Sequence, residues 1–189
     1  MVRIVAVLGS VTPPGRLSSA IAGAMERATG AGHAASLLDL GQLKLGFADG
    51  RPLEQLSDDT GQLIAEVQQA GAVILATPIY RATLTGALKN ALDLLPIEAL
   101  QDKPVGIVSM GATLHHYLGA ESHLRDILAW FGALTAPTAV YLSSADFEHG
   151  AITNEAATRL DDLVAALERL ALAAAPGPFG PLPLAARRS

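Results

Sequence analysis

The sequence predicts a three-layer α/β sandwich on a five-stranded parallel sheet, and three features carry that expectation. Five short apolar runs alternate with stretches of helical periodicity, beginning on a strand. The first run, Val2 to Leu8 (VRIVAVL), is β-branched and almost continuously apolar, as a central strand covered on both faces must be. Right-handed crossovers then favour the strand order 2-1-3-4-5, which leaves a crevice where the first and third strands diverge.

The 189 residues suit one domain with a sizeable core, expected over residues 1–175. Half of them are hydrophobic but only 4% aromatic, so the core is aliphatic. The chain has no cysteine, which excludes disulfides, thiolate catalysis and zinc–thiolate sites. A net charge of −5, with no basic cluster beyond Arg187-Arg188, argues against nucleic acid as a partner. No apolar run is long enough to span a bilayer, and the N-terminal run is too short for a secretory signal. These features point to a cytoplasmic protein with no membrane partner.

The first strand stops at Gly9-Ser10, and a loop from Ser10 to Ser19 leads into a helix expected over Ala20 to Ala28. Ser18 or Ser19 is a natural N-cap for it. The glycine spacings of the common phosphate loops are absent. Ser10, Arg16, Ser18 and Ser19 still surround a helix N-terminus, whose open N–H groups suit one phosphate monoester; a solvated turn with serine caps accounts for the same residues. Ala34 to Leu40 is the second strand, and Gly41 to Gln55 an irregular connection. A helix over Leu56 to Ala70 is expected to be capped by Ser57, with Asp58 and Asp59 in its first turn.

The organising stretch is Val73 to Pro96, VILATPIYRATLTGALKNALDLLP. The run VILA is a buried strand that ends at Thr77-Pro78. Ile79-Tyr80-Arg81 begins a loop, and Thr85 caps a helix bearing Leu88, Leu92 and Leu95 on one face. Pro104 to Ser109 is the fourth strand. Gly106 and Gly111 flank Ser109 at the wrong spacing for a hydrolase elbow, which excludes a serine hydrolase. The loop through Gly111, Ala112 and Thr113 enters a long helix expected over Leu114 to Phe131. On a helix His115 and His116 point about 100° apart, so no metal site is expected. That helix carries more apolar surface than one sheet face needs, which suggests contact with another subunit.

Ala136 to Leu142 is the fifth strand and Asp146 to Gly150 a surface loop. Thr153 to Leu172 is the last helix, and the tail over residues 176–189, rich in proline and glycine, is expected to be disordered or docked on a neighbour. The architecture is the flavodoxin-like one. Its crevice brings together the loops after strands one, three and four.

The chain resembles the NAD(P)H-dependent FMN reductases of flavodoxin-like fold, and especially the reductase components of two-component alkanesulfonate monooxygenase systems. The resembling strings are Leu8-Gly9-Ser10 with Ser18-Ser19, Ala76-Thr77-Pro78-Ile79-Tyr80, and Thr85-Gly86-Ala87-Leu88-Lys89 with Asp93-Leu94-Leu95-Pro96. The likeness continues through Ala99-Leu100-Gln101 and Gly111-Ala112-Thr113 to His116. It is close from Val73 to Ala133 and looser from Val2 to Leu172.

The resemblance implies FMN and NADPH or NADH as cofactors, with Ser10, Ser18, Ser19 and Arg16 on the FMN phosphate. It places Pro78, Ile79, Tyr80 and Arg81 against ribityl chain and ring, and Gly111, Ala112 and Thr113 at the flavin's polar edge. It also implies a homodimer or homotetramer and, as partner, a flavin-dependent monooxygenase that receives the reduced flavin. The family usually has arginine near position 12, where this chain has Thr12, so Arg16 is the candidate substitute. The sulfonate-linked members insert a tyrosine in the helix after strand four, where this chain has Ser122 beside His123. A quinone or azo-type oxidoreductase with tightly bound FMN, and an electron carrier without turnover, remain as alternatives. Hydride transfer between cofactors asks little of side chains, and no catalytic residue is assigned.

Overall fold

The computed structural model describes residues 1–186, apart from the side chains of Glu54 and Ala185. The sheet contains β1 (Arg3–Leu8), β2 (Ala34–Asp39), β3 (Ala72–Pro78) and β4 (Pro104–Met110), all parallel, in the order β2-β1-β3-β4. The order is the one expected. The fifth position differs: two short strands, β5 (Leu134–Thr135) and β6 (Val140–Leu142), share it beside β4. Pro137 offers no N–H to a ladder. Arg125 also takes the carbonyls of Ala136 (3.0 Å) and Pro137 (2.8 Å) for its guanidinium, so the expected strand over Ala136 to Leu142 breaks there.

Helices α1 (Arg16–Gly30) and α5 (Asn154–Ala174) cover one face; α2 (Thr60–Gln69), α3 (Gly86–Leu94) and α4 (Gly119–Phe131) cover the other. Alternate residues of each central strand feed the two cores. Ile4, Ala6 and Leu8 pack with Ile21, Leu160 and Leu167, while Val5 and Val7 pack with Leu63, Leu88 and Leu124. A small antiparallel pair, β7 (Phe147–Glu148) with β8 (Ala151–Ile152), occupies the expected surface loop, turning through His149 and Gly150 at positive φ.

Several helix starts correct the sequence reading. Helix α1 begins at Arg16 behind Gly15 and has no side-chain cap, so Ser18 and Ser19 lie within its first turn. Each proline disfavours helical backbone in the residue before it, and the chain bends over residues 12–14 before α1 starts behind the extended Gly15. Helix α2 begins at Thr60 without a cap from Ser57. Asp58 instead accepts hydrogen bonds from the amides of Gly46 (2.7 Å) and Thr60 (2.9 Å), and Asp59 from Lys44 (2.7 Å), clipping the irregular connection in place. Bonds from Thr60 and Gly46 hold the Asp58 carboxyl below its ordinary range. The long helix expected over Leu114 to Phe131 is divided: Leu114–His116 forms a tight 3-10 turn carrying His115 and His116, and α4 follows.

Gly132 ends α4 at φ 71°, and Pro183 packs so closely there that a Cβ on Gly132 would lie 3.0 Å from its ring. The tail thus folds back on its own chain as far as the turn Leu184–Ala186. Its last residues, Arg187 to Ser189, lie outside the described ones.

Two side chains lock this frame. The Thr85 hydroxyl caps α3 by accepting from Leu88 N (3.1 Å) and donates to the buried Gly9 carbonyl (2.5 Å). Thr85→Val should cost about 1–3 kcal/mol in urea unfolding by orphaning both groups, and Thr85→Ser distinctly less; equal losses would refute the double role. Lys103 Nζ binds the last carbonyls of α2, Val67 O (2.5 Å) and Gln68 O (3.0 Å), and burial lowers its pKa to about 8. The unfolded chain keeps that proton up to the ordinary lysine range, so this group adds stability as pH rises from about 8 towards 10.5. The Tm of the wild type should therefore gain on that of Lys103→Met across this window. A constant difference would show that Lys103 does not titrate low.

Candidate functional site

The carboxyl ends of β1, β3 and β4 are neighbours, so the loops that leave them meet at one edge of the sheet. Gly9 is where the first loop and α3 come closest. A Cβ there would sit 2.7 Å from Leu88 Cβ and 3.2 Å from Thr85 Oγ1, so only glycine lets the loop pass under the helix. Thr77 continues the interlock, accepting from Thr85 N (3.2 Å) and donating to Pro78 O (2.9 Å).

The first loop and the start of α1 form a cavity of about 150 Å³. Its walls include Ser10, Thr12, Arg16 and Ser18 on one side and Pro78, Tyr80 and Met110 on the other. Ser10 Oγ and Thr12 Oγ1 lie 2.9 Å apart and exposed. Because no side chain caps α1, the amides of its first turn are open to a ligand, with the positive end of the helix dipole behind them. Arg16 borders the same cavity, but its guanidinium lies 5.3 Å over the Phe147 ring and 3.3 Å from Ser144 Oγ. The donor set is thus amides, hydroxyls and one shared cation, a chemistry suited to a phosphate monoester.

Opposite, the chain turns sharply at Tyr80–Thr83, with Tyr80 N to Thr83 O at 3.0 Å and Thr83 N to Tyr80 O at 3.2 Å. The two central residues, Arg81 (φ 51°) and Ala82 (φ 62°), are both left-handed. For residues with a Cβ this costs about 1–2 kcal/mol each. The strain sits beside Tyr80, which faces the cavity.

The loop after β4 is pinned from the neighbouring strand. Ile79 N donates to Met110 O (2.8 Å) and Gly111 N to Leu142 O (3.0 Å). The Tyr141 hydroxyl fills the space a Gly111 side chain would need and donates to Thr113 O. Burial, then the nearby Asp146 carboxylate, raises the Tyr141 pKa, so the phenol stays protonated and able to donate.

Of the residues singled out in the sequence, Ser10, Arg16, Ser18, Pro78 and Tyr80 line the cavity together. Ser19, Ile79, Arg81, Gly111, Ala112 and Thr113 are not in that lining. Ser19 uses its amide within α1, and Arg81 stands exposed at the tip of the turn. Thr12, noted in the sequence only as standing where the family has arginine, lines the cavity too. Sequence reasoning missed Met110 and Asp39, whose carboxylate accepts from Gly41 N (2.9 Å) at the cavity's edge. Their signal was positional, since Asp39 and Met110 each end a strand whose carboxyl edge faces the crevice. Tyr141 carried no local signal, because its partner lies 28 residues away.

Comparisons with known proteins bear on the family and the fold. Residues 2–147 match the family model described as NADPH-dependent FMN reductase. An NAD(P)H-dependent FAD/FMN reductase of Geobacillus thermodenitrificans (strain NG80-2) is 40% identical over 111 residues, 59% of this chain and 60% of that protein. An FMN reductase (NADPH) of Escherichia coli (strain K12) is 32% identical over 168 residues, 84% of each chain. The chain spans half to two thirds of the length of several curated relatives it matches. Among solved structures, the apo form of an NADH:FMN oxidoreductase (EMOB) superposes with a TM-score of 0.75 at 22% identity, covering 92% of this chain and 90% of that one, a likeness of fold. With the flavodoxin-like sheet order and a family match over most of its length, the chain belongs to the NADPH-dependent FMN reductase family.

Proposed function

We propose that this protein is an NAD(P)H:FMN oxidoreductase that passes hydride from NADPH or NADH to FMN. The observation that carries the reading is the cavity where the uncapped α1 N-terminus and the hydroxyls of Ser10, Thr12 and Ser18 face Pro78 and Tyr80. Those donors fit the FMN phosphate, and Arg16 supplies the positive charge that Thr12 cannot. Bound FMN would supply the ring that accepts the hydride. Pro78, Ile79 and Tyr80 are the residues to support that ring, with Arg81 at its outer rim. The pinned loop of Gly111, Ala112 and Thr113 walls the remaining side and limits water. No side chain needs to donate or take a proton in this scheme.

The reduced flavin would go on to a partner flavin-dependent monooxygenase. A cradle of hydroxyls and amides with one shared arginine suits a flavin that binds and leaves, which favours transfer over permanent retention. We place the protein in the cytoplasm, where its nicotinamide electron source is found, with residues 1–175 as the reductase domain and 176–189 as an appended tail.

A homodimer or homotetramer belongs to the same proposal. An apolar groove of about 660 Å³ lies between α3 and α4 with Trp130 on its wall. Trp130 is 58% exposed and meets Phe131 edge-on at 5.5 Å. An indole so placed is a natural interface anchor. Trp130→Asp should shift the wild-type oligomer to monomer in sedimentation with its circular dichroism unchanged; a wild type already monomeric would end this part of the proposal.

Activity is tested by following NADPH and NADH oxidation with and without added FMN. Rates that rise and saturate with FMN support the reading; no oxidation with either nucleotide would overturn it. Ser18→Asp should raise the FMN concentration for half-maximal rate by about tenfold or more, since it removes a donor to a charged group and adds like charge. An unchanged value would move the phosphate elsewhere.

A further inference from the structure

The Tyr80–Thr83 turn is held from outside as well as within. Helix α4 approaches its back through two residues one helical turn apart. Gly119 lies against the Ala82 carbonyl so closely that a Cβ would sit 2.8 Å from its oxygen. His123 places Nδ1 2.7 Å from Thr83 Oγ1. On its inner side the same turn presents Tyr80 to the cavity. Two left-handed residues with side chains will not keep that shape unaided. The surrounding structure must impose it, and α4 is the element in contact.

We propose that His123 is a positioning residue: by bonding Thr83 it holds the strained turn closed, and so fixes Tyr80 over the ligand. The proposal rests on the flavin reading above. Nothing asks His123 to touch the ligand. It stands in an open groove with Lys89 and Asp126, whose lining shares no residue with the cavity. The Thr83 hydroxyl can donate to an unprotonated Nδ1 or accept from a protonated one, so the brace survives either charge state. Its function is mechanical. Gly119 complements it, because any side chain there would push the Ala82 carbonyl, and the turn with it, away from α4.

This arrangement separates the brace from a merely stabilising contact. Loss of a stabilising bond lowers Tm and leaves the ligand constants of the folded protein alone. Loss of a brace changes ligand affinity in protein that remains fully folded. Asparagine provides the discriminating substitution, since its side-chain amide lies about where Nδ1 does and offers both a donor and an acceptor.

The experiment measures FMN affinity by titration, together with KM and kcat for NAD(P)H oxidation, at a temperature where every variant is folded. His123→Ala and Thr83→Val should each weaken FMN binding or raise the KM by about three- to tenfold, with kcat much less affected. The double variant should be no worse than either single one, and His123→Asn should stay close to the wild type. Single variants that match the wild type, or effects that simply add, would overturn the brace while leaving the flavin reading intact. A wild type that neither binds FMN nor oxidises NAD(P)H would overturn both, and that failure is visible before any variant is made.

Discussion

One hydroxyl holds the site to the fold. Thr85 sits at the start of α3, where its oxygen accepts the free Leu88 amide of the first turn and its hydrogen goes to the carbonyl of Gly9, 76 positions earlier in the chain. Gly9 is the last residue before the loop from Ser10 into α1, and its amide binds Ala76 O at 2.7 Å. The ends of β1 and β3 are thereby fastened to each other and to the helix between β3 and β4. Both groups are buried, so neither has water as a substitute partner. Each cavity wall inherits its place from this knot. The α1 side follows from Gly9, and the Tyr80 side from Thr77 and Pro78.

A phosphate bound in the cavity beside α1 would be held against the chain's overall charge. With a net charge of −5 and Asp39 at the cavity edge, long-range attraction for a phosphate is weak, and screening in salt weakens it further. What remains is short-range: the amides of α1, three hydroxyls and Arg16. Arg16 itself is shared, packed on Phe147 and bonded to Ser144. That sharing fixes its direction, since a guanidinium stacked on a ring loses less freedom when it binds. It also ties the cradle to the β7–β8 hairpin. There Asp146 receives Arg159 of α5 together with the amide and hydroxyl of Ser143. The acidic loop that looked like a surface feature in the sequence is the outer support of the arginine.

Much of the fold was legible because period and burial coincide. Val2 to Leu8, Val73 to Ala76 and Pro104 to Ser109 are central strands whose alternate side chains fill both cores, and their apolar runs have no other reading in an alternating α/β chain. Thr85 was readable as a cap because a cap is local chemistry. The helix starts at Arg16 and Thr60 were not, since a serine before a helix signals a cap only when the backbone at that point is extended. The bend over residues 12–14 and the clip from Asp58 to Gly46 precede the true starts. The fifth strand forms at the expected place but is broken into two short pieces, for a non-local reason. Arg125, more than ten residues upstream, takes the carbonyls that a continuous strand would have paired, and Pro137 lacks the N–H.

The site was legible to the extent that residues act from where the strand ends put them. Ser10 and Pro78 were found in this way. The contacts that shape the walls are long-range, and no spacing in the sequence reveals them. Tyr141 reaches Thr113 from a neighbouring strand, and His123 reaches Thr83 from a helix. Both hold loops that carry the recognisable motif, Tyr141 through a backbone carbonyl and His123 through a side-chain hydroxyl. A reaction whose chemistry resides in its cofactors leaves the protein only the tasks of holding, aligning and excluding. Those tasks are performed by backbone held in place from a distance. The conspicuous residues of such a site therefore tell where the ligand goes. The inconspicuous ones, a glycine under a helix and a tyrosine behind a loop, decide how firmly it is held there.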